Sequence, residues 1–579
     1  MTRRLAGLIA GLSIVLAASA VSAQQAPAQQ ATGDWLGTLK VAPTTAFRLA
    51  AHIARTPQGA FAGTLDSLDM GSFDIPLADI ASSAGALSFT IPSIKASYAA
   101  KWDPAAKDWD GMWTQGGQSW SLTWSPGVAP PLPKVSGLDG DWDGTLQAGL
   151  GVKMRLAVHI ATGPHGTLGN LNSIDQQARA GLSGVARDGA RVKLDMALIG
   201  ATFDGALDAS GQTITGQWSQ GGMQLPLVLT RRAAGQAVAV LKRPQTPVKP
   251  YPYAEEEVTF EDAASHVKLA GTLTLPPGAG PFPAVVLVSG SGPNTRNEPI
   301  MSHQIFLVLA DHLTRHGIAV LRYDKRGTGS STGDFAKATT QDFANDADAA
   351  AAWLRGRKEI DPAKVGLIGH SEGGLIVPMV AVADPKVDFI VMMAGPGVDG
   401  AQVLAEQGRL VFKATGMSDA QVADYSGLRE KMIAIVRAEK DPVVAAAKMR
   451  ALLVADPALK NTSPAVIDAQ VNAINNDWFR FFFNYDPAIA LRQVRCPVLA
   501  MIGSKDLQVP PDQNLPALRA ALAHNPDAEV DELPDLNHLF QTAKTGAIGE
   551  YGEIEETIAP AALDTMTVWI VKHVGSPAH

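Results

Sequence analysis

The feature that most narrows what this chain can fold into is a five-residue turn signal between two apolar runs. Lys364-Val365-Gly366-Leu367-Ile368 reads as a buried strand, and Leu375 to Val382 reads as a helix. Between them stands Gly369-His370-Ser371-Glu372-Gly373. A strand can pass into a helix within five residues only through a very tight turn, and glycines on either side of Ser371 allow it without steric conflict. The turn would leave the Ser371 hydroxyl exposed. The pentad alone specifies little, because a chain with 55 glycines also produces Gly329-Ser330-Ser331-Thr332-Gly333. That second match lacks a strand before it and a helix after it, and it reads as a loop.

The surrounding sequence agrees with a parallel sheet. Ala284 to Val288, Ile318 to Arg322, Val365 to Ile368, Phe389 to Met393 and Val498 to Ile502 are short continuous apolar runs, as expected for inner strands covered on both faces. Helical stretches lie between them, at Ile305 to His316, Asp342 to Arg357 and Leu375 to Val382. This alternation predicts a doubly wound α/β domain over 253–579. Residues 398–490 interrupt it with a helical segment ending in Trp478-Phe479-Arg480-Phe481-Phe482-Phe483, read as a cap inserted between two strands. Its aromatic end either lines a pocket or packs the cap on the sheet.

A serine hydroxyl is a weak nucleophile without a base, and in this class the order along the chain is serine, acid, histidine. Downstream of Ser371 stand His524, His538, His573 and His579. His524 and His573 fall in helical patterns. His538 lies in the turn-rich Pro534-Asp535-Leu536-Asn537-His538 after a strand-like stretch, at the sheet edge where a base must sit. For the acid, Asp506 follows the apolar run Val498 to Ile502 directly. Asp512 reads as the start of the next helix, and Asp535 stands too close to His538 along the chain. An oxyanion hole needs two backbone N–H groups, each worth about 10²–10³ in rate. Glu372, after the nucleophile, supplies one. The loop Ser289-Gly290-Ser291-Gly292-Pro293 supplies the other, Ser291 before Gly292 as first choice. This chemistry calls for no metal and no cofactor.

Several of these stretches together resemble bacterial α/β-hydrolases of the serine-aminopeptidase-like superfamily, in particular its exported acyl-esterase branch. They are Ser-Gly-Ser-Gly-Pro at 289–293, Arg322 to Ser331, Gly-His-Ser-Glu-Gly-Gly at 369–374, Gly503 to Val509 and Leu536 to Gln541, in that order. The resemblance spans about 253–579. It implies carboxylesterase-type chemistry on the intact set Ser371, His538 and Asp506, and a structural role for the Asp324 to Ser331 loop. A small acyl ester is the expected substrate, with a short peptide as the alternative within the same class. A lipid- or glycan-binding exported protein with a secondary hydrolase domain is the alternative from another class.

The first 230 residues follow another rule. Gly33-Asp34-Trp35-Leu36-Gly37-Thr38-Leu39 returns as Gly140-Asp141-Trp142-Asp143-Gly144-Thr145-Leu146. At the same offset Arg48 to Ile53 returns as Arg155 to Ile160, and Gly111-Met112-Trp113 has its counterpart in Gly216-Gln217-Trp218. A repeat of this length is a duplicated module, not a solenoid. Alternating stretches such as Gln118 to Trp124 and Arg191 to Leu198 make it all-β: lipocalin-like barrels or meanders at 31–128 and 137–232, or two halves of one larger barrel. Eight of the 11 tryptophans lie here; Trp35, Trp113, Trp142 and Trp218 are expected to be barrel-closing core residues in preference to a ligand platform, and His52 and His159 to be structural. The proline-rich 233–252 reads as a semi-rigid linker.

Residues 1–23 carry Arg3 and Arg4, an apolar run from Leu5 to Ala18, and Val21-Ser22-Ala23. That is the pattern of a secretory signal peptide, by the general or the twin-arginine route, and it implies a periplasmic or secreted protein. The apolar run is short for an anchor, and no later stretch has the length of a membrane span. The 48 basic and 56 acidic residues leave a net charge of −8 without a basic stripe, which argues against nucleic acid as a partner. No oligomeric state follows from the sequence. With Cys496 the only cysteine, no internal disulfide is available, and this residue reads as a buried strand position.

Overall fold

The computed structural model describes residues 31–575 apart from 43–44, 84, 148–151, 177, 234, 238–241 and 461. The signal segment read at 1–23 lies outside the described residues.

Each copy of the repeat forms its own nine-stranded antiparallel sheet, and the two sheets have the same strand order. In the first, Gly33–Ala42 is central, pairing with Thr45–Arg55 on one side and Gln118–Pro126 on the other. The two ends of the sheet are Ser72–Pro76 and Ala78–Ser83, separated along the chain by Leu77 alone. Strands at opposite ends of a sheet that adjoin in sequence force the sheet to curl on itself, and at that corner the Leu77 N–H extends the ladder of Ser72–Pro76 with Phe61–Ser67 by donating to the Gly63 carbonyl at 2.9 Å. In the second sheet Ala178–Gly181 and Gly184–Asp188 meet the same way, with the Leu182 N–H on the Gly169 carbonyl. There is thus one curled barrel-like sheet per repeat, not one barrel shared by both.

Tryptophans fill each interior. Trp35, Trp109, Trp113 and Trp124 pack in the first, and Trp142 and Trp218 in the second. The indole N–H of Trp35 donates to Ala31 O, and that of Trp142 to Leu138 O, both at 2.9 Å. Buried indoles with equivalent partners in both copies serve the core. His52 bridges Asp34 and Asp66 on the sheet surface, and His159 pairs with Asp141.

The segment read as a linker is docked. Arg243 donates to the carbonyls of Met301, Gly552 and Ile554, and Gln245 bonds the backbone at Thr557 and Ile558. Contacts from side chain to distant backbone have no sequence periodicity, so a proline-rich stretch hides them.

The remainder is an eight-stranded sheet in the order Ala254–Asp262, Val267–Leu275, Ala319–Tyr323, Phe282–Val288, Ile360–His370, Ile390–Met393, Val498–Gly503, Ala528–Leu533. The first two strands pair antiparallel, and all from Ala319–Tyr323 onward are parallel. From Phe282–Val288 the chain crosses to Ala319–Tyr323 on one side, then returns to Ile360–His370 on the other. Such a reversal opens a crevice at the carboxyl ends of the strands. Separate apolar clusters cover the two sheet faces. Between Ile390–Met393 and Val498–Gly503 the cap contributes Gly400–Ala414, Asp419–Ala438, Pro442–Val454, Pro464–Ile474, Asp477–Asn484 and Ala488–Leu491. The cap's apolar core reaches the sheet domain through Leu375. Cys496 is half-buried and precedes the strand Val498–Gly503 instead of lying in it. Burial pushes its thiol up to about 12.

Candidate active site

Ser371 sits at the junction of the strand Ile360–His370 and the helix Glu372–Ala383, with φ +54° and ψ −116°. A residue bearing a Cβ is strained there, and such strain is characteristic of functional turns. Close crossings explain the flanking glycines. A Cβ on Gly369 would stand 2.0 Å from the Gly373 carbonyl oxygen, and one on Gly373 would stand 1.9 Å from that of Val288. Because both obstacles are backbone, Gly373→Ala is expected to cost more than about 4 kcal/mol, among the larger effects of a single substitution. Gly427→Ala, in a cap helix with nothing within 4 Å of the added carbon, should instead gain up to about 1 kcal/mol. Thermal melting of the two variants checks the contrast.

His538 and Asp506, far apart in sequence, come together. The buried His538 ring donates from Nδ1 to Asp506 Oδ2 at 2.8 Å, and Oδ1 of the same carboxylate accepts the N–H groups of Gln508 and Val509, both at 2.8 Å. With Nδ1 carrying the proton, Nε2 of the neutral ring is left with a lone pair. Asp535 is exposed and paired with Lys505. Asp512 lies exposed in the first turn of the helix Pro511–Leu522. Neither touches His538. His573 stacks on Trp569 in the last helix.

The loop after Phe282–Val288 runs beside the serine, since a Cβ on Gly290 would lie 3.1 Å from Ser371 Cβ. Gly290 is held at both ends of its backbone. Its N–H donates to Glu298 Oε1 at 2.6 Å, and its carbonyl accepts Lys325 Nζ at 2.7 Å and Asn294 Nδ2 at 2.9 Å. Among the described residues the N–H groups of Ser291 and Glu372 donate to no acceptor, so both are available to an incoming oxygen.

Glu372 carries a side chain with work of its own. Its buried carboxylate accepts Thr340 Oγ1 at 2.8 Å, Trp478 Nε1 at 2.6 Å and Lys325 Nζ at 3.0 Å. The elbow is thereby tied to the cap through Trp478 and to the Gly290 loop through Lys325. A buried ion pair this well surrounded offsets its own desolvation. Most of the Asp324 to Ser331 loop is structural: Arg296 and the Ser330 N–H hold Asp324, and Asp262 and Asp346 hold Arg326. Lys325 is the exception, a residue to which the sequence alone assigns no part in the site. Its one cue is its place just past the parallel strand Ala319–Tyr323, at the sheet edge where sites form.

A second buried pair lies behind the serine. His370 Nδ1 faces Glu298 Oε1 at 3.1 Å, and His370 Nε2 donates to the His538 carbonyl at 3.0 Å. Burial acts to lower the His370 pKa, but the Glu298 carboxylate and the His538 carbonyl outweigh it, and the net shift is upward.

Comparison with known proteins falls on this same domain. Residues 263–530 match the family described as X-Pro dipeptidyl-peptidase (S15 family). Esterase EstD of Thermotoga maritima is 28% identical over 329 residues, 56% of this chain and 69% of that protein. Among solved structures, the Pyrococcus furiosus esterase Pf2001 has a TM-score of 0.35 at 16% identity, covering 55% of this chain and 93% of its own. The hypothetical protein PA2218 from Pseudomonas aeruginosa has a TM-score of 0.36 at 16% identity, covering 58% and 98%. The sheet order and the strand–serine–helix elbow are those of an α/β-hydrolase domain.

Proposed function

We propose that this chain is a serine hydrolase that cleaves carboxylic esters through an acyl-enzyme, with Ser371 as nucleophile, His538 as base and Asp506 as its orienting acid. The observation that carries the reading is a strained serine at a strand-to-helix elbow whose preceding residue, His370, bonds the main chain of His538, the histidine of a buried histidine–aspartate pair. Ser371 Oγ attacks the ester carbonyl carbon as His538 Nε2 takes its proton. The carbonyl π pair moves onto oxygen, to which the Ser291 and Glu372 N–H groups donate. As the tetrahedral species collapses, the bond to the alkoxy oxygen breaks and His538 returns the proton to the departing alcohol. Water then repeats the sequence on the acyl-enzyme and releases the acid. Asp506 stays ionised throughout, and its two backbone donors keep one oxygen turned to His538 Nδ1. The signal-like pattern of residues 1–23 supports a reaction outside the cytoplasm.

The S15 match favours a second reading, in which the same machinery cleaves after an Xaa-Pro dipeptide. The likeness to an esterase extends further along the chain than the S15 match does, so the ester is the first choice. The discriminating experiment sets p-nitrophenyl esters of increasing acyl length beside Xaa-Pro p-nitroanilides. Faster turnover of a short or medium ester is expected. Preference for the anilide would move the reading to a peptidase, and turnover of neither would sink both.

A further inference from the structure

We infer that Glu298 and His370 are a positioning pair, a buried carboxylate and imidazolium that together set the oxyanion loop and the base against Ser371. The inference rests on the functional reading above and extends it to residues that touch no substrate. Both side chains are almost wholly inaccessible, Glu298 at 1% and His370 at 2% exposure. The pair reaches three parts of the proposed machinery. One oxygen of Glu298 receives the Gly290 N–H, one residue before the Ser291 donor. His370 is bonded through its own backbone to Ser371. Its Nε2 reaches the main chain of His538.

The charge state follows from the partners. A neutral imidazole has a single N–H, but here one ring nitrogen faces a carbonyl oxygen and the other a carboxylate oxygen, and neither can donate. A doubly protonated ring satisfies both contacts. Glu298 balances that charge, and its second oxygen, Oε2, is buried without a partner among the described residues. That orphan would be costly in a residue kept for packing alone. Glu298 also sits at φ +46°, a left-handed backbone conformation that a glutamate adopts only under constraint.

The constraint comes from the segment that follows. Pro299–Ile300 and His303–Gln304 form a small hairpin, and its turn residue Ser302 donates to the carbonyls of Ile174 and Asp175, in the turn that follows the strand Gly166–Ser173 of the second β module, both at 3.1 Å. Arg243 holds the Met301 carbonyl at 3.0 Å. At the other end, the Glu298 N–H donates to Thr295 O at 2.9 Å. The pair is therefore held in place by the docked linker and the second β module. This gives those modules a part in the chemistry without a ligand of their own.

The test replaces the pair with apolar groups of similar size, Glu298→Leu with His370→Phe, because buried ion pairs exchanged whole for hydrophobic residues usually leave a folded protein. The expected result is a cooperative melt with kcat on p-nitrophenyl acetate lowered about 10²-fold, the scale of a slightly misplaced reacting group, and KM changed little. Glu298→Gln, which keeps an oxygen for the Gly290 N–H, should recover about tenfold of the loss seen in Glu298→Leu. A folded double variant with wild-type kcat overturns the inference. If the double variant does not fold, Glu298→Gln decides alone, and wild-type kcat in it overturns the pair. Wild-type protein that turns over no ester while Ser371→Ala behaves identically would instead overturn the functional reading, and the pair with it.

Discussion

Ser371→Ala is expected to lower ester turnover by roughly 10⁴–10⁶-fold, the scale of a lost nucleophile, without loosening the fold. Both halves of that expectation come from the same geometry. Among the described residues the Ser371 hydroxyl makes no hydrogen bond, so removing the oxygen leaves no buried partner unsatisfied. The strain at φ +54° belongs to the backbone and to any Cβ, and alanine inherits it unchanged. The melting temperature of Ser371→Ala should thus stay within a few degrees of wild type. The Ser331 position of the other glycine-flanked serine motif behaves oppositely. Its hydroxyl donates to Asp324 O at 2.7 Å and accepts the Ala270 N–H at 2.9 Å, tying the loop to the strand Val267–Leu275. Ser331→Ala should therefore lose stability and keep kcat. Initial rates on p-nitrophenyl butyrate and thermal melts of both variants measure the double contrast. A Ser371→Ala enzyme within tenfold of wild type would remove the nucleophile from the reading.

That contrast also marks what a single sequence can and cannot disclose. Both pentads have the same glycine spacing, and context separates them: the apolar run ahead of Gly369 becomes the strand Ile360–His370, and the stretch after Gly373 becomes the helix Glu372–Ala383. The inner strands are equally legible, because burial on both faces leaves unbroken apolar runs. Chain order singles out His538 and Asp506 before any distance between them is known. The repeat discloses two related β units, yet how many barrels they make depends on whether Leu77 and Leu182 close each sheet on itself, and no local pattern encodes a seam. The framework behind the serine is hidden for the same reason. Lys325 meets Gly290 and Glu372, and Glu298 meets His370, across dozens of intervening residues, through side chains that obey no period. A charged residue just past a parallel strand is the one cue to Lys325. Glu298, in a loop ahead of a short hairpin, has none.

Asp506→Asn should cost about 10⁴-fold in kcat while leaving KM near its original value, by the tautomer argument that applies to triads of this kind. Asp506 Oδ1 takes the N–H groups of Gln508 and Val509, and Oδ2 takes His538 Nδ1. An asparagine has a single oxygen, and the two backbone donors claim it, because an amide NH2 turned toward them would leave both N–H groups buried and unpaired. The NH2 must then face His538 Nδ1, which can meet it only as an acceptor. The ring proton moves to Nε2, the atom that receives the Ser371 proton in the proposed reaction, and the proposed base is disabled without displacement of a heavy atom. Asp506→Ala removes the clamp on the Gln508 and Val509 N–H groups as well, so it should lose stability, whereas Asp506→Asn should melt close to wild type. Initial-rate kinetics on p-nitrophenyl butyrate with parallel melts separate the two. An Asp506→Asn enzyme that is folded and loses less than about tenfold in kcat would assign the orienting acid elsewhere, and a kcat loss matched by an equal loss in thermal stability would make Asp506 a structural clamp alone.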